Sequence, residues 1–369
     1  MIDDAGIVAG YDGAIASLQT GQEWNWMATE TWRGPLITFA IAALGAVLTF
    51  ALSFPAPFLT GPAIAVTLAG LAGVKTAAPP QRARDAVFII LGLTIGQGVT
   101  PEVFEAMRTW PVTLAALAAS LFAIIWITPA ILVRFWSMDA TTAFLSSSPG
   151  HLSYVLGLSE GVKADLRTVS IVQSIRVLAL TLLVPVAVTL TGQVPQQVLE
   201  IPAETAPVPL AVMIVAAACA GYLLARLRLP AAYLIGGMLV SVVAHVTGLV
   251  SGVMSYWLAA VAFVSLGGLI GSRFSGVTWP QLRRALGAGV LVTVLSVALA
   301  AVFAVITHWI TGMELIAILI AFAPGGLETM AAMSVILGID PTFVASHHVA
   351  RLLMLTAIVP FFVLRGRRN

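Results

Sequence analysis

The chain has 369 residues, of which 59% are hydrophobic and only 9% charged, with a formal net charge of +2. A soluble domain carries about 25% charged residues, so this composition excludes a water-facing globule, and so small a net charge gives no footing for nucleic-acid binding. The single cysteine, Cys219, excludes an intrachain disulfide and reads as a packing residue.

Residues 1–34 read as an N-terminal tail. Asp3, Asp4, Asp12, Glu23 and Glu30 deny it the basic start of a cleavable signal, and Trp24, Trp26 and Trp32 suit the headgroup layer. A first membrane repeat follows over 35–191. Its apolar stretches Pro35–Leu52, Pro111–Val133 and Val169–Leu190 have the length that crosses a hydrocarbon core as a helix. Between the last two lies an odd segment, Thr141–Leu158, centred on Ser146-Ser147-Ser148-Pro149-Gly150-His151. A polar, proline-rich linker spans 192–209. The second repeat, 210–369, contains Leu286–Ile306, a second odd segment at Leu315–Leu337 centred on Ala323-Pro324-Gly325-Gly326, and Phe343–Leu364.

The two repeats align without a gap at an offset of 175. Pro55 pairs with Pro230, Gly61 with Gly236, Gly73 with Gly248, Gly92 with Gly267 and Gly96 with Gly271. Pro149-Gly150 pairs with Pro324-Gly325, Asp165 with Asp340, Arg176 with Arg351 and Pro185 with Pro360. Apolar matches arise by chance between membrane segments, but matched Gly, Pro, Arg and Asp do not. Each repeat therefore reads as five spanning helices plus the odd segment.

Proline removes an amide donor and glycine frees the backbone, so each odd segment breaks its helix. Broken backbone at membrane depth is tolerated only when buried in protein or lining a cavity. A re-entrant hairpin makes the two copies inverted, whereas a full crossing makes them parallel. With Arg365, Arg367 and Arg368 in the cytoplasm, the hairpin arrangement puts fifteen Lys and Arg on that side. Only Arg108 lies opposite, and Arg176 and Arg351 lie within the membrane, which accounts for all 18. The parallel arrangement moves Arg273, Arg283 and Arg284 outside, against the positive-inside rule. The expected fold is an all-α polytopic membrane protein of two inverted repeats, each with five transmembrane helices and one re-entrant Pro-Gly hairpin. Hairpins entering from opposite faces bring their tips together near the midplane, the arrangement that marks a binding site in secondary transporters.

Several residues could serve such a site. Arg176 and Arg351 lie about 12 Å into the last helix of each repeat, where an arginine is expensive and needs a cavity or a partner. They read as a pair of anion clamps, or alternatively as tethers for hairpin carbonyls. Half-helices starting near Gly150 and Gly325 would aim positive N-termini at the tips, which brings in Pro149, His151, Pro324 and Gly326. Ser147 and Ser148 could line the first tip with hydroxyls. Glu328, whose counterpart is Ser153, could take a proton or contact a cation, or simply compensate the helix dipole. Gln173 and His348 stand three residues before the arginines, on the same helix face. Asp165 and Asp340 read as helix-starting residues. No phosphate-binding loop, metal-spaced His/Cys cluster or nucleophile elbow appears, so no enzyme activity and no cofactor are expected.

The run Ser146 to Ser153 with Asp165, Gln173, Ile175 and Arg176, together with Ala323 to Met330, Asp340 and Arg351, resembles the membrane AbrB family over nearly the whole chain after the tail. The family pattern has Pro-Gly-Gly in both copies, and here the first reads Pro-Gly-His. The resemblance implies labels such as regulator of gene expression or ammonia monooxygenase. The residues favour secondary transport of a small anionic solute, with H+ or Na+ as the coupling ion. The alternative is a membrane-embedded sensor or regulator, and an ammonia monooxygenase ranks last. The expected setting is the bacterial inner membrane with a cytoplasmic C-terminus, no nucleic-acid partner, and a homodimer compatible with such a bundle.

Overall fold

A computed structural model describes residues 32–97, 108, 110–150, 164–190, 203–227, 229 and 231–366. These residues form thirteen helices: α1 (Arg33–Ala51), α2 (Pro57–Leu71), α3 (Gln81–Gly96), α4 (Trp110–Trp136), α5 (Ala140–Ser147), α6 (Leu166–Leu190), α7 (Pro207–Arg226), α8 (Ala232–Val246), α9 (Tyr256–Ser272), α10 (Trp279–Thr311), α11 (Leu315–Phe322), α12 (Leu327–Ile336) and α13 (Pro341–Gly366). The only β pairing among them is an isolated bridge, Glu204 to Val253.

Helix starts recur at the sequence offset of 175. α2 and α8 begin and end in register, as do α5 and α11, and α3 and α6 start in register with α9 and α13. Left-handed residues recur the same way: Ala56 with Ala231, Gly73 with Gly248, and Ser137 with Gly312. The buried stripe of α1 (Thr38, Ala42, Ala46) repeats in α7 as Met213, Ala217 and Gly221, at the i, i+4, i+8 spacing of one helix face.

The protein is a helical multi-pass membrane protein. Its outer surface is apolar: Leu44, Val47 and Phe50 on α1, Val212 and Val215 on α7, and Val294 and Trp309 on α10 are all exposed. Its costly polar groups, Arg176, Arg351, Gln173 and His348, are inside. That distribution suits lipid, which cannot satisfy a polar group. Five described helices, α1, α4, α6, α7 and α10, are long and apolar enough to cross a membrane. The expectation of ten such helices meets a difference here. α2, α3, α8 and α9 have only 15 to 17 residues, about 22–26 Å at 1.5 Å per residue, less than the roughly 30 Å hydrocarbon core.

The four short helices pack across the two halves, α2 against α9 and α3 against α8. Glycines permit the close approach. A Cβ on Gly92 or Gly96 would collide with the Leu234 or Met238 carbonyl, and a Cβ on Gly267 with the Leu59 carbonyl. These small-residue steps, four apart, let backbones touch. Ser241 then donates to the Leu93 carbonyl at 2.8 Å across the α3–α8 contact.

Candidate functional site

Each odd segment is a helix that stops at its Pro-Gly step. α5 ends at Ser147 and α11 at Phe322. Ser148 and Ala323 take extended backbone angles, as residues before proline prefer. The Gly150 amide then donates to the Ser148 carbonyl at 2.9 Å, and the Gly325 amide to the Ala323 carbonyl at 2.8 Å. α12 starts again after Gly326. The half-helix expected after Gly150 in the first half, with His151, lies outside the described residues.

Breaking a helix leaves carbonyls without intrahelical donors, and buried ones need partners. The last helix of each half supplies them. Gln173 Nε2 donates to the Leu145 and Ser148 carbonyls at 2.8 and 2.9 Å, and Gln173 Oε1 accepts from Arg176. Arg176 also reaches the Ser147 and Ser148 carbonyls at 3.5 Å. In the second half Arg351 donates directly to the Ala323 and Gly325 carbonyls. Both arginines are buried, 1% and 2% exposed. Their terminal nitrogens hold the tips, while the Nε of each has no hydrogen-bond partner among the described residues. Asp165 and Asp340 start these helices as capping residues, accepting from the amides of Arg167 and Thr168, and of Thr342 and Phe343.

The two tips meet at one small cavity and at one crevice too tight for a water molecule. Gly150, Gln173, Arg273, Gly325, Gly326 and Glu328 line the first, which has about 30 Å³ of space, room for a water molecule or two. Pro149, Pro324, Ser120 and Arg351 line the second. The tips thus meet: their glycines face the cavity and their prolines the crevice. Glu328 sits in the first turn of α12 and is 9% exposed, with its Oε2 3.6 Å from where a Cβ on Gly326 would stand.

The remaining expected residues are placed as follows. Ser147 and Ser148 are buried and donate back to the Ala143 and Phe144 carbonyls at 2.8 Å. His348 is buried beside Arg351 and faces the Ile320 carbonyl without a hydrogen bond of normal geometry. His347 belongs to an aromatic cluster, its ring 4.1 Å from Phe343 and its Nε2 2.7 Å from the Thr113 hydroxyl.

One site residue escaped the sequence. Arg273 follows α9 directly, is half-buried and lines the cavity. It lies close enough to Arg176 and to Glu328 for their charges to interact, and Arg176 stands in the same relation to Arg351. In sequence Arg273 counts only as a loop cation on the cytoplasmic side. Because α9 ends after 17 residues, its terminal arginine reaches inward. No group of three or more His, Cys, Asp or Glu among the described residues could hold a metal ion.

The family model described as "Transition state regulatory protein AbrB" matches residues 58–365. The chain is 31% identical over 291 residues to "Uncharacterized protein YhjN" of Bacillus subtilis (strain 168), covering 74% of this chain and 76% of that one. It is 29% identical over 311 residues to "Putative regulator AbrB" of Escherichia coli (strain K12), covering 82% and 87%. The matched region takes in both Pro-Gly breaks, both tethering arginines and the cavity between them, and the chain belongs to the AbrB family.

Proposed function

We propose that this protein is a secondary transporter of a small anionic metabolite, built as two inverted repeats with opposed hairpins and making no chemical change to its cargo. Charge carries this reading. Arg273 lines a cavity made by both tips, its charge interacts with that of Arg176 and the charge of Arg176 with that of Arg351, and among the described residues the carboxylate lining that cavity is Glu328. Uncompensated positive charge at membrane depth is expensive, and a mobile anion compensates it. Arg176 and Arg351 hold the tips and supply field. Arg273 is the guanidinium able to donate to cargo. A cavity on the glycine side of the tips and a closed crevice on the proline side fit alternating access around a fixed site. The distribution of Lys and Arg favours the bacterial inner membrane with the C-terminus in the cytoplasm.

The second reading is a membrane-embedded ligand sensor, favoured by the printed name of the Escherichia coli relative. Thermal shift of detergent-purified protein with acetate, succinate, inorganic phosphate and methanesulfonate, and with ammonium as the cation control, finds the preferred anion. Uptake of that anion into proteoliposomes then separates the readings. Uptake by wild type, lost in Arg273→Gln, supports transport. Stabilisation without uptake shifts the assignment to the sensor.

A further inference from the structure

We infer that Glu328 is the proton-coupling group of this site: the anion binds Arg273 only when Glu328 carries a proton, so that proton and anion cross together. This inference rests on the anion-transport reading and adds the coupling ion and its residue.

The argument is one of competition. Glu328 and Arg273 line the same small cavity and lie close enough for their charges to interact. The guanidiniums of Arg176 and Arg351 are engaged with hairpin main chain or with Gln173, so Arg273 is the donor that both the carboxylate and an incoming anion can address. Two anions at one guanidinium repel, and protonating one removes the conflict. Protonation also turns Glu328 from an acceptor into a donor towards the cargo.

The surroundings single out this carboxyl. α12 packs against α3, α6, α9, α11 and α13. These elements bring Arg273 after α9, Arg176 on α6, and His347, His348 and Arg351 on α13. Arg82, Arg84 and Asp85 lie in the first turns of α3, Arg167 in the first turn of α6, and Glu314 before α11. The histidines line neither the cavity nor the crevice. Among the described residues Glu328 is therefore the cavity-lining group that can gain and lose a proton against a cationic background. Its repeat counterpart is Ser153, so the second hairpin alone has this carboxyl.

The test is anion affinity against pH, using whichever of acetate, succinate, inorganic phosphate or methanesulfonate stabilises wild type most, measured by thermal shift and calorimetry. The range runs from about pH 5.5 to about 8.5, where a carboxyl in a protein interior can titrate. Wild-type affinity should be full at low pH and fall about tenfold per unit above the pH at which Glu328 ionises. Glu328→Gln, which mimics the protonated form, should bind at every pH. Glu328→Asp, a second variant should the first not purify as a single species, should keep a pH-dependent profile with its midpoint moved. A flat wild-type profile with an anion bound overturns the coupling and leaves the transport reading standing, as does affinity that follows Na+ in place of pH. Absence of any anion binding at any pH overturns both.

Discussion

Gln173 and His348 occupy the same place in the two halves of the chain and make opposite contacts. Gln173 bridges the Leu145 and Ser148 carbonyls at 2.8 and 2.9 Å, whereas neither ring nitrogen of the buried His348 makes a hydrogen bond of normal geometry among the described residues. Among the described residues the first break is therefore held by an amide and a loosely placed arginine, and the second by an arginine. Gln173→Leu leaves two buried carbonyls short of a donor and should lower stability by about 1–3 kcal/mol. His348→Leu removes no hydrogen bond and should stay within about 1 kcal/mol of wild type. Thermal unfolding of the two variants in one detergent checks the contrast. Equal losses would mean that His348 has a structural partner after all.

Lysine substitutions separate tethering from charge. Lysine keeps the positive charge but cannot span two carbonyls as a guanidinium does. Arg351→Lys should therefore destabilise the protein markedly, by about 2–4 kcal/mol, since a buried cation loses the partners that compensate it. Arg176→Lys should cost less, because its carbonyl contacts lie at 3.5 Å and Gln173 shares the first break. Arg273→Lys touches no tether and should leave the melting temperature near wild type while weakening anion binding. A large stability loss in Arg273→Lys would place that residue among the tethers instead.

The sequence made the breaks legible because proline and glycine carry a physical cost that membrane helices otherwise avoid. α5 and α11 stop where Pro149 and Pro324 require. The capping of the last helices by Asp165 and Asp340 was legible for a similar local reason. For Arg176 and Arg351 the sequence left two readings open, clamp or tether, because depth along a helix does not say what lies opposite. The structure sets their terminal nitrogens against carbonyls at the Pro-Gly breaks and against Gln173. Arg273 was hidden for the opposite reason. Its position matters only because α9 is short, and helix length to within one turn is the least certain quantity in a uniformly apolar stretch. The exchange of α2 and α3 between halves was hidden too. Gly92, Gly96, Gly267 and Gly271 announce a close approach, but spacing alone does not name the helix approached.

Those glycines predict a division between scaffold and site. Gly96→Ala would drive a Cβ into the Met238 carbonyl, and Gly271→Ala would set one 2.9 Å from the Ala63 carbonyl. Backbone cannot yield cheaply, so each change should cost about 1–3 kcal/mol through overpacking. Gly326→Ala meets its nearest atom, the Thr329 hydroxyl, at 3.4 Å, and its backbone φ is −72°. It should keep the melting temperature of wild type while narrowing the cavity and lowering anion affinity. Calorimetric binding beside thermal unfolding reads both quantities. A stable Gly96→Ala would show that α3 and α8 do not approach as closely as described.

The opposed entry of the two hairpins can be tested at one matched pair of turns. Val74 follows Gly73 and Leu249 follows Gly248, at the same place in each half, and both side chains are exposed. Inverted repeats put Val74, beside Lys75, in the cytoplasm and Leu249 on the far side. Parallel repeats put both on one side. Cys219 is exposed and would react on its own, so the background is Cys219→Ser. A membrane-impermeant maleimide added to intact cells should label Leu249→Cys and spare Val74→Cys, and inside-out vesicles should reverse the pattern. Labelling of both from the same side would remove the inverted arrangement. The meeting of Gly150 with Gly325 and Gly326 at one cavity would then need hairpins that enter from a single face, and a fixed site open to alternate sides would lose its structural basis.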